Sequence, residues 1–298
     1  MRENKVIYGL IGYGGMGRWH TEILSNVPEI EIGGIYDIKE EKRIEAKEKG
    51  FSVYGSEEEM LSDPDIDVVL IATPNDCHKP IAIRAMHAGK NVISEKPVTL
   101  SSSDLQEMEN VAKETGKFLT VHQNRRWDDD FLIIRKLVEE QKLGHVFRIE
   151  SRVHGSRGIP GDWRKEKIHG GGMVLDWGVH LLDQILHLYG DRKIETVYAS
   201  LTHITNQEVD DGFTTILTFE GGTEVLVEVG TNNYISLPRW YVLGEDGTAV
   251  IRDWQLNGEI IRKTGITEEK VVPVKTAAGL TKTWLRDGKI PVSYTHLT

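Results

Sequence analysis

Apolar residues in the first 122 positions come in short blocks separated by amphipathic stretches. Val6 to Ile11 reads as a buried strand, followed by a glycine turn and a helix from Gly15 to Asn26. Glu31 to Tyr36 reads as the next strand, and Lys39 to Lys49 as a charged helix. Ser56 and Glu59 have capping-box spacing and open a short helix that Pro64 stops. Asp67 to Ala72 is a continuous apolar strand of the kind covered on both faces. A helix from His78 to Ala88 ends at Gly89, and Asn91 to Ser94 is again a strand. Ser103 with Gln106 repeats the capping spacing, Gly116 stops that helix, and Phe118 to His122 is a further strand. Strand and helix alternating at this spacing predict βαβ units in a doubly wound parallel sheet.

Beyond His122 the pattern changes. Asp128 to Gln141 predicts a helix, and its three leading aspartates fit capping and the helix dipole better than a cation site. Phe213 to Phe219 and Thr223 to Gly230 alternate with period two around Gly221-Gly222. Trp240 to Leu243 and Thr248 to Arg252 flank Glu245-Asp246-Gly247, so both segments predict hairpins. With an inserted helix from Met173 to Tyr189, residues 123–290 form an α+β domain with a large open antiparallel sheet, after a first domain at 1–122.

Composition narrows the partners. The 298-residue chain carries a net charge of −10, and its basic residues form no run, which argues against nucleic acid. It has no uninterrupted apolar stretch of membrane-spanning length, and its charged start does not read as a signal peptide. A single cysteine, Cys77, fits a reducing, cytoplasmic compartment.

Gly12-Tyr13-Gly14-Gly15-Met16-Gly17 follows the first strand and opens the first helix. Gly12 allows a tight turn, Gly14 lets backbone approach a pyrophosphate, and Gly17 lets helix and strand pack closely. Asp37 ends the second strand 20 residues after Gly17, where a carboxylate accepts from ribose hydroxyls and repels a 2′-phosphate. This favours NAD over NADP, although Lys39 and Arg43 lie close enough to blur the preference.

The runs Ala72-Thr73-Pro74-Asn75-Asp76-Cys77-His78, Glu95-Lys96-Pro97, Gln123-Asn124-Arg125-Arg126-Trp127 and Gly170-Gly171-Gly172 through His180 carry a resemblance in order and spacing. They resemble the glucose–fructose oxidoreductase / inositol dehydrogenase (Gfo/Idh/MocA) family over about residues 5 to 290. The resemblance implies a Rossmann first domain and an NAD(P)-dependent dehydrogenase acting on CH–OH groups of a sugar or cyclitol. It also implies a homodimer or homotetramer paired through open sheets. Thr73, Pro74, Asn75 and His78 would line the cofactor cleft with Met16, while Glu95 and Gln123 would lie nearer the nicotinamide. Lys96 would contact both cofactor and the reacting hydroxyl, where an ammonium stabilises alkoxide character. Asp176 and His180 are four apart and would share a helix face, as acidic partner and general base. Arg126, Trp163 and Arg164 are the candidates for substrate contact, an aromatic face with forked donors suiting a sugar.

No metal is expected: Asp76-Cys77-His78 lacks a second cluster at ligand spacing, and His145 and His154 read as strand or pocket residues. His169-Gly170-Gly171-Gly172 resembles an esterase oxyanion loop, but the chain holds no G-x-S-x-G nucleophile turn. The same family includes glycosidases that use NAD transiently, and a non-catalytic sugar sensor is a third reading. Family members run several tens of residues further. The segment from Pro291 to Thr298 resembles translated adapter sequence, so residues 291–298 are expected to be foreign to a longer natural protein.

Overall fold

The apolar blocks of the first half become the strands of one sheet in the computed structural model, which describes residues 5–263, 271–277, 279–284 and 289–291. In order these elements are β1 (Val6–Ile11), α1 (Gly15–Leu24), β2 (Ile30–Tyr36), α2 (Glu40–Glu48) and α3 (Glu57–Ser62). They continue with β3 (Val68–Ile71), α4 (His78–His87), β4 (Asn91–Ser94), α5 (Ser102–Thr115) and β5 (Leu119–Val121). All pairings are parallel, in the order β2-β1-β3-β4-β5. A parallel bridge between Ile35 and Val53 adds the stub of a further strand outside β2. With that stub, the spatial order becomes that of the dinucleotide-binding doubly wound sheet.

Both faces of this sheet are buried, which explains its continuous apolar runs. Ile7, Ile11 and Val69 pack with Met60, Met86 and Met108 on one side. Leu10, Ile35 and Leu70 pack with Tyr13 and Ala46 on the other.

Local signals place most boundaries. Ser56 caps α3 by accepting from Glu59 N at 3.1 Å, while the Glu59 carboxylate reaches back to Gly55 N at 2.6 Å. α5 is capped by Ser101, which accepts from Asp104 N, and not by the expected Ser103. Ser101 holds the extended backbone a cap requires, and Ser103 already lies in the first turn. Gly116 ends α5 with φ +64°, a left-handed cap suited to glycine.

The chain divides into two compact units: Met1–Gln123 with Gly161–Asp176, and Asn124–Pro160 with Trp177–Thr298. The stretch Gly161–Asp176, which a contiguous division would give to the second domain, belongs to the first unit.

The second unit contains α6 (Asp129–Glu139), β6 (Val146–His154), α7 (Val179–Tyr189), β7 (Ile194–Thr202), β8 (Gly212–Phe219) and β9 (Glu224–Gly230). After these come β10 (Trp240–Gly244), β11 (Gly247–Ile251), β12 (Gly258–Arg262), β13 (Val271–Thr276), β14 (Gly279–Trp284) and β15 (Lys289–Pro291). Eight strands form one sheet in the order β15-β12-β11-β10-β6-β9-β8-β7, antiparallel except for the β6–β9 pair. Both expected hairpins are present, and Gly221 and Gly222 turn the first with φ of +90° and +83°. α6 and α7 cover one face, where Phe131 packs near Trp240 and Tyr189 near Phe219.

Two local expectations need correction. The helix predicted from Met173 begins with a π-helical turn, Val174–Gly178, before the regular α7. The four-residue spacing of Asp176 and His180 therefore does not run along one regular α-helix, because the widened turn changes the angle per residue. The aspartates before α6 also do more than cap. Asp128 makes no side-chain cap and instead pairs with Arg125 at 2.9 Å. Asp130 is buried, accepts from Trp240 Nε1 at 2.9 Å and pairs with Arg239 Nε at 3.1 Å. The expected foreign tail lies outside the described residues apart from Pro291, which ends β15.

Candidate active site

The glycine turn does what its spacing requires. Gly12 has φ +97°, and a Cβ there would stand 2.5 Å from Ala72 O. A Cβ at Gly17 would meet Gly12 O at 2.1 Å, so this third glycine sets how closely α1 approaches β1. A Cβ at Gly14 would meet nothing within 4 Å, because that position faces open space. α1 has no side-chain N-cap and no acid in its first turn, which leaves its leading amides and dipole for an anion.

That open space is a cavity of about 730 Å³, lined entirely by the first unit. Strand order fixes how its walls are arranged: Asp37 follows β2, the turn follows β1, Thr73 follows β3, and Glu95 and Lys96 follow β4. The ends of β2 and β4 are three strand spacings apart, roughly 14 Å, enough for an extended dinucleotide. Met16, Pro74 and Asn75 line the space between, as does the pair Trp163 and Arg164. The structure thus places these last two residues, expected on the substrate, on the same cavity as the glycine turn.

Asp37 is held by two backbone amides, Tyr13 N at 2.7 Å and Lys39 N at 2.8 Å. The Arg43 guanidinium donates to the carbonyls of Asp37 and Ile38. These residues fit the adenosine half of NAD: an acid for the ribose hydroxyls, then bare backbone for the phosphates.

The far end carries a second set of ionisable groups. Lys96 Nζ donates to Asp176 Oδ1 at 3.1 Å and to its carbonyl at 2.9 Å. Arg164 Nε stands 3.1 Å from the same carboxylate oxygen. Burial pushes the Asp176 carboxyl up, but the two cations outweigh it and hold it below the usual range. The segment bearing Asp176 is fastened by Asn75, which donates to Gly170 O at 2.8 Å, and by His169 against Asp76 at 3.1 Å. Gly171 permits this fit, since a Cβ there would lie 2.3 Å from Arg164 O.

Other candidates sit elsewhere. His78 is fully buried, with its ring nitrogens at Pro97 O and Thr73 O, so it ties two strand ends together behind the wall. Burial lowers its pKa against the pull of those carbonyls. Gln123 is the last residue of the first stretch of that unit. His180 and Arg126 belong to the second unit. His180 is buried in α7, edge-on to Trp177, and Arg126 makes a two-point pair with Asp183 at 2.6 and 2.8 Å.

Sequence reasoning missed His20 and His122, which meet on Glu95. The three ligating atoms lie within 4.8 Å of one another. Glu95 Oε1 is 2.7 Å from His20 Nε2 and 3.1 Å from His122 Nδ1. Two donors sharing a zinc ion stand roughly 3.3 Å apart, so these distances suit hydrogen bonds better than a common metal. His20 occurs one helical turn after Gly17 on the buried side of α1, a signal that could have drawn attention to it.

Comparison with known proteins agrees with this geometry. Residues 6–123 match the family model described as oxidoreductase family, NAD-binding Rossmann fold, and residues 131–250 match the GFO/IDH/MocA C-terminal domain. A crystal structure described as an NAD-binding protein from Listeria innocua is 50% identical, with a TM-score of 0.93 over 97% of this chain and 84% of that one. The oxidoreductase YdgJ of Escherichia coli is 37% identical over 63% of this chain, a match spanning 55% of its own length. The scyllo-inositol 2-dehydrogenase (NADP+) IolW of Bacillus subtilis is 30% identical over 81% of this chain and 67% of its own. The chain belongs to the Gfo/Idh/MocA oxidoreductase family. Among the described residues, no helix is long and apolar enough to cross a membrane.

Proposed function

We propose that the protein is an NAD-dependent dehydrogenase that moves a hydride between the nicotinamide cofactor and a secondary alcohol of a sugar or cyclitol. The observation that carries this reading is Lys96, ion-paired to Asp176 on the cavity whose walls include the glycine turn and Asp37. When bound, the cofactor supplies the hydride acceptor or donor. The Lys96 ammonium stabilises negative charge developing on the substrate oxygen, and Asp176 and Arg164 keep that ammonium in place. His180 takes the hydroxyl proton as general base. Arg126, Trp163 and Arg164 are assigned to holding and enclosing the substrate. Asp37, with its charge fixed at the end of β2, supports NAD over NADP. The name of IolW makes inositols the first substrates to try, and its cofactor makes NADP the control. A homodimer or homotetramer is assigned to the sheet of the second unit, whose strand β7 exposes Val197, Tyr198 and Leu201.

The test is nicotinamide absorbance after mixing protein with NAD or NADP and a panel of inositols and sugars, beside Lys96→Ala and His180→Ala. Reduction by the parent, lost in both variants while cofactor still binds, is the expected result. Cofactor binding with release of a chromogenic aglycone but no net reduction would make the protein a glycosidase instead. Binding with neither outcome would make it a sensor.

A further inference from the structure

With Asp37 on the adenosine ribose, the attached base occupies the part of the cavity beside that acid. Its walls there are Ile38, which follows Asp37, Glu57 at the start of α3, and Cys77, Pro80, Ile81 and Arg84 along α4 and the residue before it. One core cluster brings the two helices together, since Met60 of α3 packs with Ile81, Ala85 and Met86 of α4. Ile38, Pro80 and Ile81 give this part apolar faces suited to a flat base. Burial pushes the Cys77 thiol up, so it stays neutral and belongs to the same apolar wall.

The polar edge is a two-point pair. Arg84 Nε donates to Glu57 Oε1 at 2.7 Å, and its Nη2 donates to Oε2 at 2.9 Å. An exposed pair between two helices would contribute little. Here the acid is the covered partner, with 17% of its side chain exposed against 53% for Arg84. The guanidinium fork fixes the plane of the carboxylate, and each oxygen keeps a second lone pair. Other acids on the cavity are engaged elsewhere. Asp37 lies at the ribose, Glu95 at the opposite end takes His20 and His122, and Asp162 pairs with Arg164. Glu57 is the carboxylate left to meet the base.

Adenine presents its exocyclic amine as a donor at position 6. We propose that Glu57 is a base-specificity residue that accepts a hydrogen bond from this 6-amino group, with Arg84 as the positioning residue that holds its carboxylate. The proposal rests on the dinucleotide reading above. A 6-oxo purine in the same place turns an oxygen lone pair towards the carboxylate, so a hydrogen bond is replaced by repulsion.

The test compares the dissociation constants of NAD+ and nicotinamide hypoxanthine dinucleotide by isothermal titration. The two ligands share nicotinamide, both riboses and the pyrophosphate, and differ only in the 6-substituent and the N1 proton it brings. The parent should bind NAD+ about tenfold to a hundredfold more tightly, the range expected for a hydrogen bond to a charged group. Glu57→Gln should bind NAD+ more weakly and the hypoxanthine form no worse, because its amide can turn a nitrogen towards the 6-oxo group. The ratio then falls close to one. Arg84→Ala, with the carboxylate free to turn, should lower the ratio as well. Equal affinities of the parent for the two dinucleotides overturn the proposal, as does a ratio that Glu57→Gln leaves unchanged. An unchanged ratio in Arg84→Ala removes its positioning role. The parent comparison needs no variant, so it decides the matter even where a substitution prevents folding. Binding of neither dinucleotide by the parent overturns the dinucleotide reading itself, and this inference with it.

Discussion

Two glycines, three and six residues past the end of β1, should fail in different ways when replaced by alanine. At Gly17 the added Cβ would meet Gly12 O at 2.1 Å and Gly12 C at 3.0 Å. Ordinary contact begins near 3.4 Å, so the two backbones would have to part by about 1.3 Å. No rotamer change relieves a clash between backbones, and α1 would have to lift off the sheet and carry buried His20 and Thr21 with it. Overpacking of this kind costs about 1–3 kcal/mol. For a domain of this size, that is a fall in Tm of roughly 3–9 °C. At Gly14, φ is −76° and an added Cβ meets nothing within 4 Å, so folding should change by less than about 1 kcal/mol. That Cβ nevertheless projects where a pyrophosphate must approach bare backbone, and NAD affinity should fall at least about tenfold, or ~1.4 kcal/mol.

The assay is a thermal melt of each variant beside an isothermal titration with NAD. Gly14→Ala should melt like the parent and bind poorly, while Gly17→Ala should melt early and bind poorly. Parent-like NAD affinity in Gly14→Ala would refute the assignment of the turn to the pyrophosphate. A parent-like Tm in Gly17→Ala would refute the claim that the third glycine sets helix–strand contact.

Three further outcomes are expected. Asp130→Ala strands Arg239 in a buried site and removes the acceptor of Trp240 Nε1, so urea denaturation followed by tryptophan fluorescence should show a loss of about 3–5 kcal/mol; a loss under 1 kcal/mol would contradict it. Asp37→Ser removes the charge opposed to a 2′-phosphate, and the ratio of NADP to NAD affinities should rise at least about tenfold by titration, an unchanged ratio counting against the role given to Asp37. Glu95 and Asp176 have folded-state carboxyl pKa values below their unfolded ones, so their stabilisation is fully present above the unfolded carboxylate range and is lost as pH falls through the folded values. Tm followed from pH 7 to pH 3 should fall towards acid, and less steeply in Glu95→Gln than in the parent; equal slopes would remove Glu95 from that account.

What could be read before the structure was whatever the chain encodes locally. Apolar runs gave the parallel strands because both faces of that sheet are covered, and the tight turn at Gly12 and the close packing at Gly17 follow from spacing alone. Period-two alternation around Gly221-Gly222 is likewise a short-range signal. Ser103 was mistaken for a cap because Ser101 to Ser103 offer three equivalent residues, and only backbone conformation chooses among them. The stub at Val53 was too short to carry a period. The site's longer connections had no local signature at all. Asp176 reaches Lys96 across 80 positions, and His20 reaches Glu95 across 75. Gly161–Asp176 joins the first unit through a side-chain amide, a histidine and a glycine that a pattern of apolar positions does not register. Strand order accounts for the meeting of Glu95 and His122, since the parallel sheet brings the ends of β4 and β5 side by side whatever their separation in sequence. A buried histidine one turn into α1 and another just past β5 are therefore unremarkable separately, and become a charged trio because β4 ends between them at Glu95.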